Sequence, residues 1–301
     1  MSKTKRIIRI ILILATIAAL TLGAVGTFSS AAGSDVRGMI SIGERYLTEE
    51  RYDEAVELFS KVIDVEPQSA SAYVNRGKAY AALNETDKAM EDYTTAIELD
   101  PTLADELRPE IDAWKQAEEE KEQDNLKAIL SKNTTKPIQK FYFGDFDADG
   151  KYEAFAIAGN KDTSLSDAAT DDREFYGLVD IFFVSDSGAT LLKSNTYGFV
   201  MKNATGQQGG NITVDSYSFF AFEQSAGGSG SLSYVWGVKN QKAMEMNVSG
   251  KVEMFSQDKD SGKITGCHGS FSAGYHQYMY YKYIFDEASF TFTQSDLDHI
   301  E

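Results

Sequence analysis

Asp145, Asp147 and Asp149 stand at alternate positions of a short stretch that runs on through Gly150, Lys151 and Glu153. Carboxylates spaced this way in a tight loop converge on one point. Gly150 permits a sharp turn that brings the Lys151 carbonyl and the Glu153 carboxylate to the same point. An all-oxygen donor set suits a hard cation, and Ca²⁺ foremost. Acids packed this closely repel one another, so a cation has an electrostatic reason to enter. The competing reading is an Asp-rich turn that binds nothing. The loop is not an EF-hand: its twelfth position is Ala156, where a bidentate Glu is needed, and both flanks read as strands.

Other candidate chemistry is weaker. Cys267, His268, His276 and His299 do not make a zinc set, because adjacent strand residues such as Cys267 and His268 point to opposite faces. Asp258, Asp260 and Gly262 fit a hairpin turn, and Asp162, Asp167, Asp171 and Asp172 fit a solvated linker. The chain has no nucleophile elbow, zinc helix or phosphate loop. Its formal charge of −17 disfavours nucleic acid. A single cysteine permits no intrachain disulfide. The expectation is a binding or scaffolding protein rather than an enzyme. A carbohydrate-active or hydrolytic β domain, or a purely structural envelope spacer, are the alternatives.

Two elements must carry this loop. The first is helical and repetitive. Met39, Ile42, Gly43, Tyr46, Ala55, Phe59, Val62 and Pro67 recur as Tyr73, Arg76, Gly77, Tyr80, Ala89, Tyr93, Ala96 and Pro101, each offset by 34 positions. Glycine and alanine stand where antiparallel helices approach closely, aromatics fill between them, and proline ends each pair. Arg76 departs from the pattern, since a large apolar residue is usual there; its stem is expected to pack while its head reaches water. Over residues 36–103 the chain resembles the tetratricopeptide repeat (TPR) family. That resemblance implies a concave face that binds a protein or peptide, built here from Ile40, Glu44, Leu47, Val74, Lys78 and Ala81. Ile40 and Glu44 replace the Lys and Asn of carboxylate-clamping members, which argues against chaperone-tail binding. Residues 104–136 read as a capping and linker helix, with Leu103, Leu107, Ile111 and Trp114 packing on the second repeat and an acidic, solvated stalk after them.

From residue 137 the pattern turns to β-branched and aromatic runs broken by Gly, Asn, Asp and Ser. Candidate strands run from Gln139–Phe143 to Ser289–Thr293 and include Ala243–Ser249. They predict a mainly antiparallel β domain, a meander folded as a sandwich, barrel or partial propeller. Over 141–159 the acidic loop is similar to FG-GAP and VCBS repeats of extracellular proteins, of which one copy is present. At the other end, Lys3, Lys5, Arg6 and Arg9 precede an uncharged apolar run from Ile10 to Phe28. Its length fits a membrane-spanning helix of ~20 residues. The basic flank keeps the N-terminus cytoplasmic and exports the rest. Cleavage near Ser30-Ala31-Ala32, releasing a secreted protein, is the alternative. The expected whole is an α+β multidomain protein: a transmembrane signal-anchor over 1–35, two repeats over 36–103, a cap over 104–136 and a Ca²⁺-binding β domain over 137–301.

Overall fold

The computed structural model describes residues 31–162, 173–201, 212–225, 231–258, 261–272 and 275–295. The expected membrane segment, together with Asp167, Asp171, Asp172, Asp260 and His299, lies outside them. Among the described residues no helix is long and apolar enough to cross a membrane. The chain divides into two compact units, Met1–Ala117 and Glu118–Glu301.

The first unit contains helices α1 (Ala31–Thr48), α2 (Tyr52–Val65), α3 (Ala70–Ala82) and α4 (Thr86–Leu99), a short 3₁₀ turn Pro101–Leu103, and the first half of α5 (Ala104–Ser131). In α2, Ala55, Phe59 and Val62 fall on one helical stripe and are fully buried. Ala89, Tyr93 and Ala96 repeat this in α4. The glycines do what the repeat requires: a Cβ at Gly43 would lie 2.6 Å from Phe59 Cζ, and one at Gly77 2.5 Å from Tyr93 Cε1. Leu107 and Ile111 of α5 close the array over Val74, Tyr93 and Ala96, and Trp114 stacks on Tyr93 with ring centroids 5.8 Å apart.

Two expectations fail here. Arg76 does not send its head to water. Its guanidinium grips Asp92 in a bidentate pair, Nε to Oδ2 at 2.8 Å and Nη2 to Oδ1 at 2.7 Å, and donates from Nη1 to Ser60 Oγ at 3.1 Å. Asp92 is almost fully buried, so the departure at position 76 is matched by a carboxylate sixteen residues on. The second half of α5 is not a stalk either. Leu126 and Leu130 are fully buried, and with Ile129 they pack on Ala154, Ala156, Ala158, Phe182 and Val184 of the second unit.

Among the described residues the second unit holds twelve strands in two antiparallel sheets. The larger runs in the order β1 (Ile138–Gly144), β2 (Glu153–Lys161), β3 (Arg173–Ser185), β4 (Gly188–Met201), β6 (Tyr217–Ser225), β7 (Ser231–Lys239) and β8 (Lys242–Glu245), with β5 (Ile212–Val214) paired to β6. The smaller runs β12 (Thr291–Ser295), β11 (Tyr275–Asp286), β10 (Ile264–Ser272) and β9 (Glu253–Gln257). Strand β2 shows why the layers form. Phe155 and Ile157 face one way into an aromatic core, and the three alanines face the other, where their small size lets α5 approach. The larger sheet curls on itself: Phe155 of β2 stacks on Phe220 of β6 at 5.1 Å, although β3 and β4 lie between those strands in the hydrogen-bonded order. The opposite faces of β6 and β7 present Phe219, Ala221 and Val235 to the smaller sheet, which covers them with Phe255, Ile264, Tyr283 and Phe292. Two sheets therefore replace the radial blades of a propeller. Strand β8 ends at Glu245, short of the expected Ser249, because residues 247–251 turn.

The Arg76–Asp92 pair gives a measurable consequence. Asp92→Ala leaves a guanidinium without its partner inside the array and should lower stability by about 3 kcal/mol in denaturant unfolding, whereas Arg76→Leu with Asp92→Leu should recover most of that loss. Equal destabilisation by the single and double substitutions would show that the pair does not hold these helices.

Candidate functional site

The acidic loop joins β1 to β2. Asp145 organises it: Oδ1 accepts from Asp149 N at 3.1 Å and Oδ2 from Gly150 N at 3.0 Å. Ala148 and Gly150 take left-handed φ values of 55° and 89°, and the second of these is where a glycine is needed. Lys151 contributes its backbone N–H to Asp149 Oδ1 at 2.9 Å. Carboxylate oxygens of Asp145, Asp147 and Asp149 lie within 4.8 Å of one another. Glu153 stands apart from that group. It is fully buried, takes the Phe146 N–H on Oε2 at 3.2 Å, and receives the Gln241 amide on Oε1.

Gln241 and Asn240 are the residues that sequence reasoning misses. They form the two-residue turn between β7 and β8, with φ values of 52° at Asn240 and 60° at Gln241. A hairpin turn with both central residues left-handed favours glycine at the second position. A glutamine there accepts backbone strain and brings an amide to the acidic loop. Asn240 N donates to Asp147 Oδ2 at 2.9 Å, and the Gln241 amide nitrogen lies 3.3 Å from both Asp149 oxygens. Ser218 N on β6 donates to Phe146 O at 2.9 Å. The loop thus ties the first hairpin of the curled sheet to its far strands. No sequence motif marks this, because the partner lies some ninety residues away.

The electrostatics are those of crowded acids. Burial pushes the Glu153 carboxyl up to about 8, with the three aspartates adding to the rise and the Phe146 N–H opposing it. Burial also raises Asp147, followed by its neighbour Asp149. Asp147 Oδ1 is buried without a hydrogen-bond partner. The donor set fits a divalent cation of the Ca²⁺ type: three carboxylates at coordination-compatible spacing and an unused oxygen.

The helical groove is less open than expected. Glu44 and Lys78 are exposed, and Lys78 Nζ lies 3.9 Å from Glu106 Oε1. Ile40 and Leu47 are half-buried against the core of the first repeat, and Ala81 is half-buried. Val74 must be removed from the binding face: it is buried among Tyr93, Ala96, Leu107 and Ile111.

The tetratricopeptide repeat family profile matches residues 70–103, and a second profile for the TPR repeat matches residues 43–84. Residues 43–103 are tetratricopeptide repeats. The chain is 45% identical over 49 residues to tetratricopeptide repeat protein 36 of Caenorhabditis elegans, covering 16% of this chain and 27% of that protein. It is 32% identical over 75 residues to anaphase-promoting complex subunit 3 of Dictyostelium discoideum, covering 25% of this chain and 8% of that protein. The chain therefore spans about a quarter or less of these relatives. Both profile matches lie in the helical unit, and TPR arrays are protein–protein interaction scaffolds.

A pH dependence follows for the acidic loop without added cation. Glu153 has a folded value near 8 against an ordinary 4.5, so its protonated form favours the fold. Its contribution is complete below the ordinary value and is lost as pH rises through the folded one. The melting temperature of the cation-free protein should therefore fall between about pH 4.5 and 8, and Glu153→Gln should flatten that fall. A wild-type slope unchanged in the variant would remove Glu153 as its source.

Proposed function

We propose that this chain is a membrane-anchored, extracytoplasmic binding protein: its TPR array captures a protein partner, and its β unit is locked by Ca²⁺ in the acidic loop. It is not an enzyme on this reading. The observation that carries the calcium reading is the unpartnered, buried Asp147 Oδ1 beside Asp145 and Asp149. Asp145, Asp147 and Asp149 would hold the cation, with Glu153 and the Lys151 carbonyl as the further oxygens that the loop's likeness to FG-GAP and VCBS repeats implies. The cation would neutralise acids that otherwise raise one another's proton affinity, and so draw the first hairpin onto the β7–β8 turn. Its role is structural. Anchoring is supported by the uncharged run from Ile10 to Phe28 and the basic residues before it.

Calorimetry with Ca²⁺ on the intact protein tests the loop. Millimolar Ca²⁺ should raise the melting temperature, because a ligand that binds only the folded state stabilises it. Asp147→Asn should abolish that response while raising the melting temperature of the cation-free protein, since it relieves repulsion. A wild type indifferent to Ca²⁺ makes the loop a turn and nothing more.

The groove is tested at its exposed charges. Glu44→Lys and Lys78→Glu together should weaken capture of whatever protein the array retains, without changing its helicity by circular dichroism. Capture that survives both reversals places the binding surface elsewhere.

A further inference from the structure

Ca²⁺ takes about six to eight oxygen ligands, and an EF-hand draws a pair of them from a bidentate Glu at the twelfth loop position. Here that position is Ala156, which is fully buried and packs with Leu126 and Leu130 of α5. Strand β2 offers nothing in its place. Phe155 and Ile157 lie in the aromatic core, and Ala154 and Ala158 share the face of Ala156. The acidic loop is therefore short of oxygens, and the shortfall has to be met from another element.

The β7–β8 turn holds one. Gln241 is half-buried, and its amide nitrogen lies 3.3 Å from both Asp149 oxygens and donates to Glu153 Oε1. The amide thus bridges the group of three aspartates and Glu153, which stands apart from them. Among the described residues Gln241 Oε1 accepts no hydrogen bond. The two ends of a primary amide are close in size and opposite in role: the NH₂ donates and the oxygen accepts. The terminal torsion that exchanges them is broad and roughly two-fold.

We propose that Gln241 is a ligand of the acidic loop, an assignment that rests on the calcium reading of that loop. Without the cation its NH₂ supplies partial positive charge to Asp149 and Glu153. With the cation bound, the amide turns over and its oxygen joins the carboxylates as a neutral ligand. The acids belong to the β1–β2 loop and the amide to the β7–β8 turn, so a complete ligand set exists only while the larger sheet is curled. By linkage, closure of the curl and uptake of the cation strengthen one another.

The test is calorimetric titration of the intact chain with Ca²⁺ alone, for the wild type, Gln241→Gly and Gln241→Glu. Glycine suits the left-handed second position of this turn, so Gln241→Gly keeps the fold and removes the oxygen. Its Kd should rise about tenfold, the scale on which the loss of a metal-site partner is felt. An ionised Glu accepts and cannot donate. Gln241→Glu should therefore bind at least as tightly as the wild type, while melting lowest of the three without cation because another charge joins the acids. In the wild type the Gln241 side-chain amide protons should move upfield as Ca²⁺ is added, when their hydrogen bonds to carboxylates are given up. Equal Kd for the wild type and Gln241→Gly overturns the assignment. So does a Gln241→Glu that binds no better than Gln241→Gly, which would make the amide a donor only. A wild type that takes up no Ca²⁺ removes the calcium reading itself, and the assignment with it.

Discussion

The β unit depends on a curl. A seven-strand path of antiparallel sheet has two edges, and this one brings them toward each other by packing Tyr142 and Phe155 of the first hairpin against Phe220 of the sixth strand. Aromatic burial of this kind is non-directional and supplies most of the energy. It does not by itself fix where the edges come to rest. That is set by a few polar contacts, in which Asp147 receives the Asn240 N–H and Glu153 receives the Gln241 amide. The arrangement places acids in a low-dielectric site. The proton on Glu153 and the candidate cation are two answers to the same excess of negative charge.

The helical unit shows the same division between bulk packing and a polar specifier. Phe59 and Tyr93 fill the space that Gly43 and Gly77 leave open, which makes the two helix pairs near-copies. The Arg76–Asp92–Ser60 contact occurs once and joins the two repeats. A buried pair of this type adds little net energy against an apolar substitute. What it adds is a fixed register between α2 of the first repeat and both helices of the second.

Legibility in the sequence followed the range of the interactions. The repeat was readable because its signals recur at a fixed short spacing and glycine, alanine and proline each have one local job. The acidic loop was readable because its carboxylates stand at alternate positions of one short stretch. The Asn240–Gln241 turn was not, since an amide opposite a carboxylate ninety residues distant leaves no local trace. The burial of Leu126 and Leu130 was obscured by their neighbours: the run Glu118–Asp124 is so acidic that the two leucines after it look like exceptions on a solvated helix. Only the alanine face of β2 explains them, and Ala154, Ala156 and Ala158 look unremarkable until a helix is placed over them. The burial of Val74 is hidden in the sequence for a similar reason. Its repeat position belongs to the groove, yet the capping residues Leu107 and Ile111 cover it.

Helix α5 has a further consequence for how such a chain can be taken apart. Its first half completes the core of the repeats and its second half roofs the β sheet. A cut at residue 137, where composition changes, would give a β fragment stripped of Leu126 and Leu130, with three alanines and Phe182 laid bare to water. A cut before residue 104 would leave the repeats without the residues that seal Val74 and Tyr93. Recombination that exchanged the array for another would place its seam inside a helix, near residue 117. Modularity in this protein therefore follows buried side chains, and a gene shuffled at the visible boundary would encode two damaged halves.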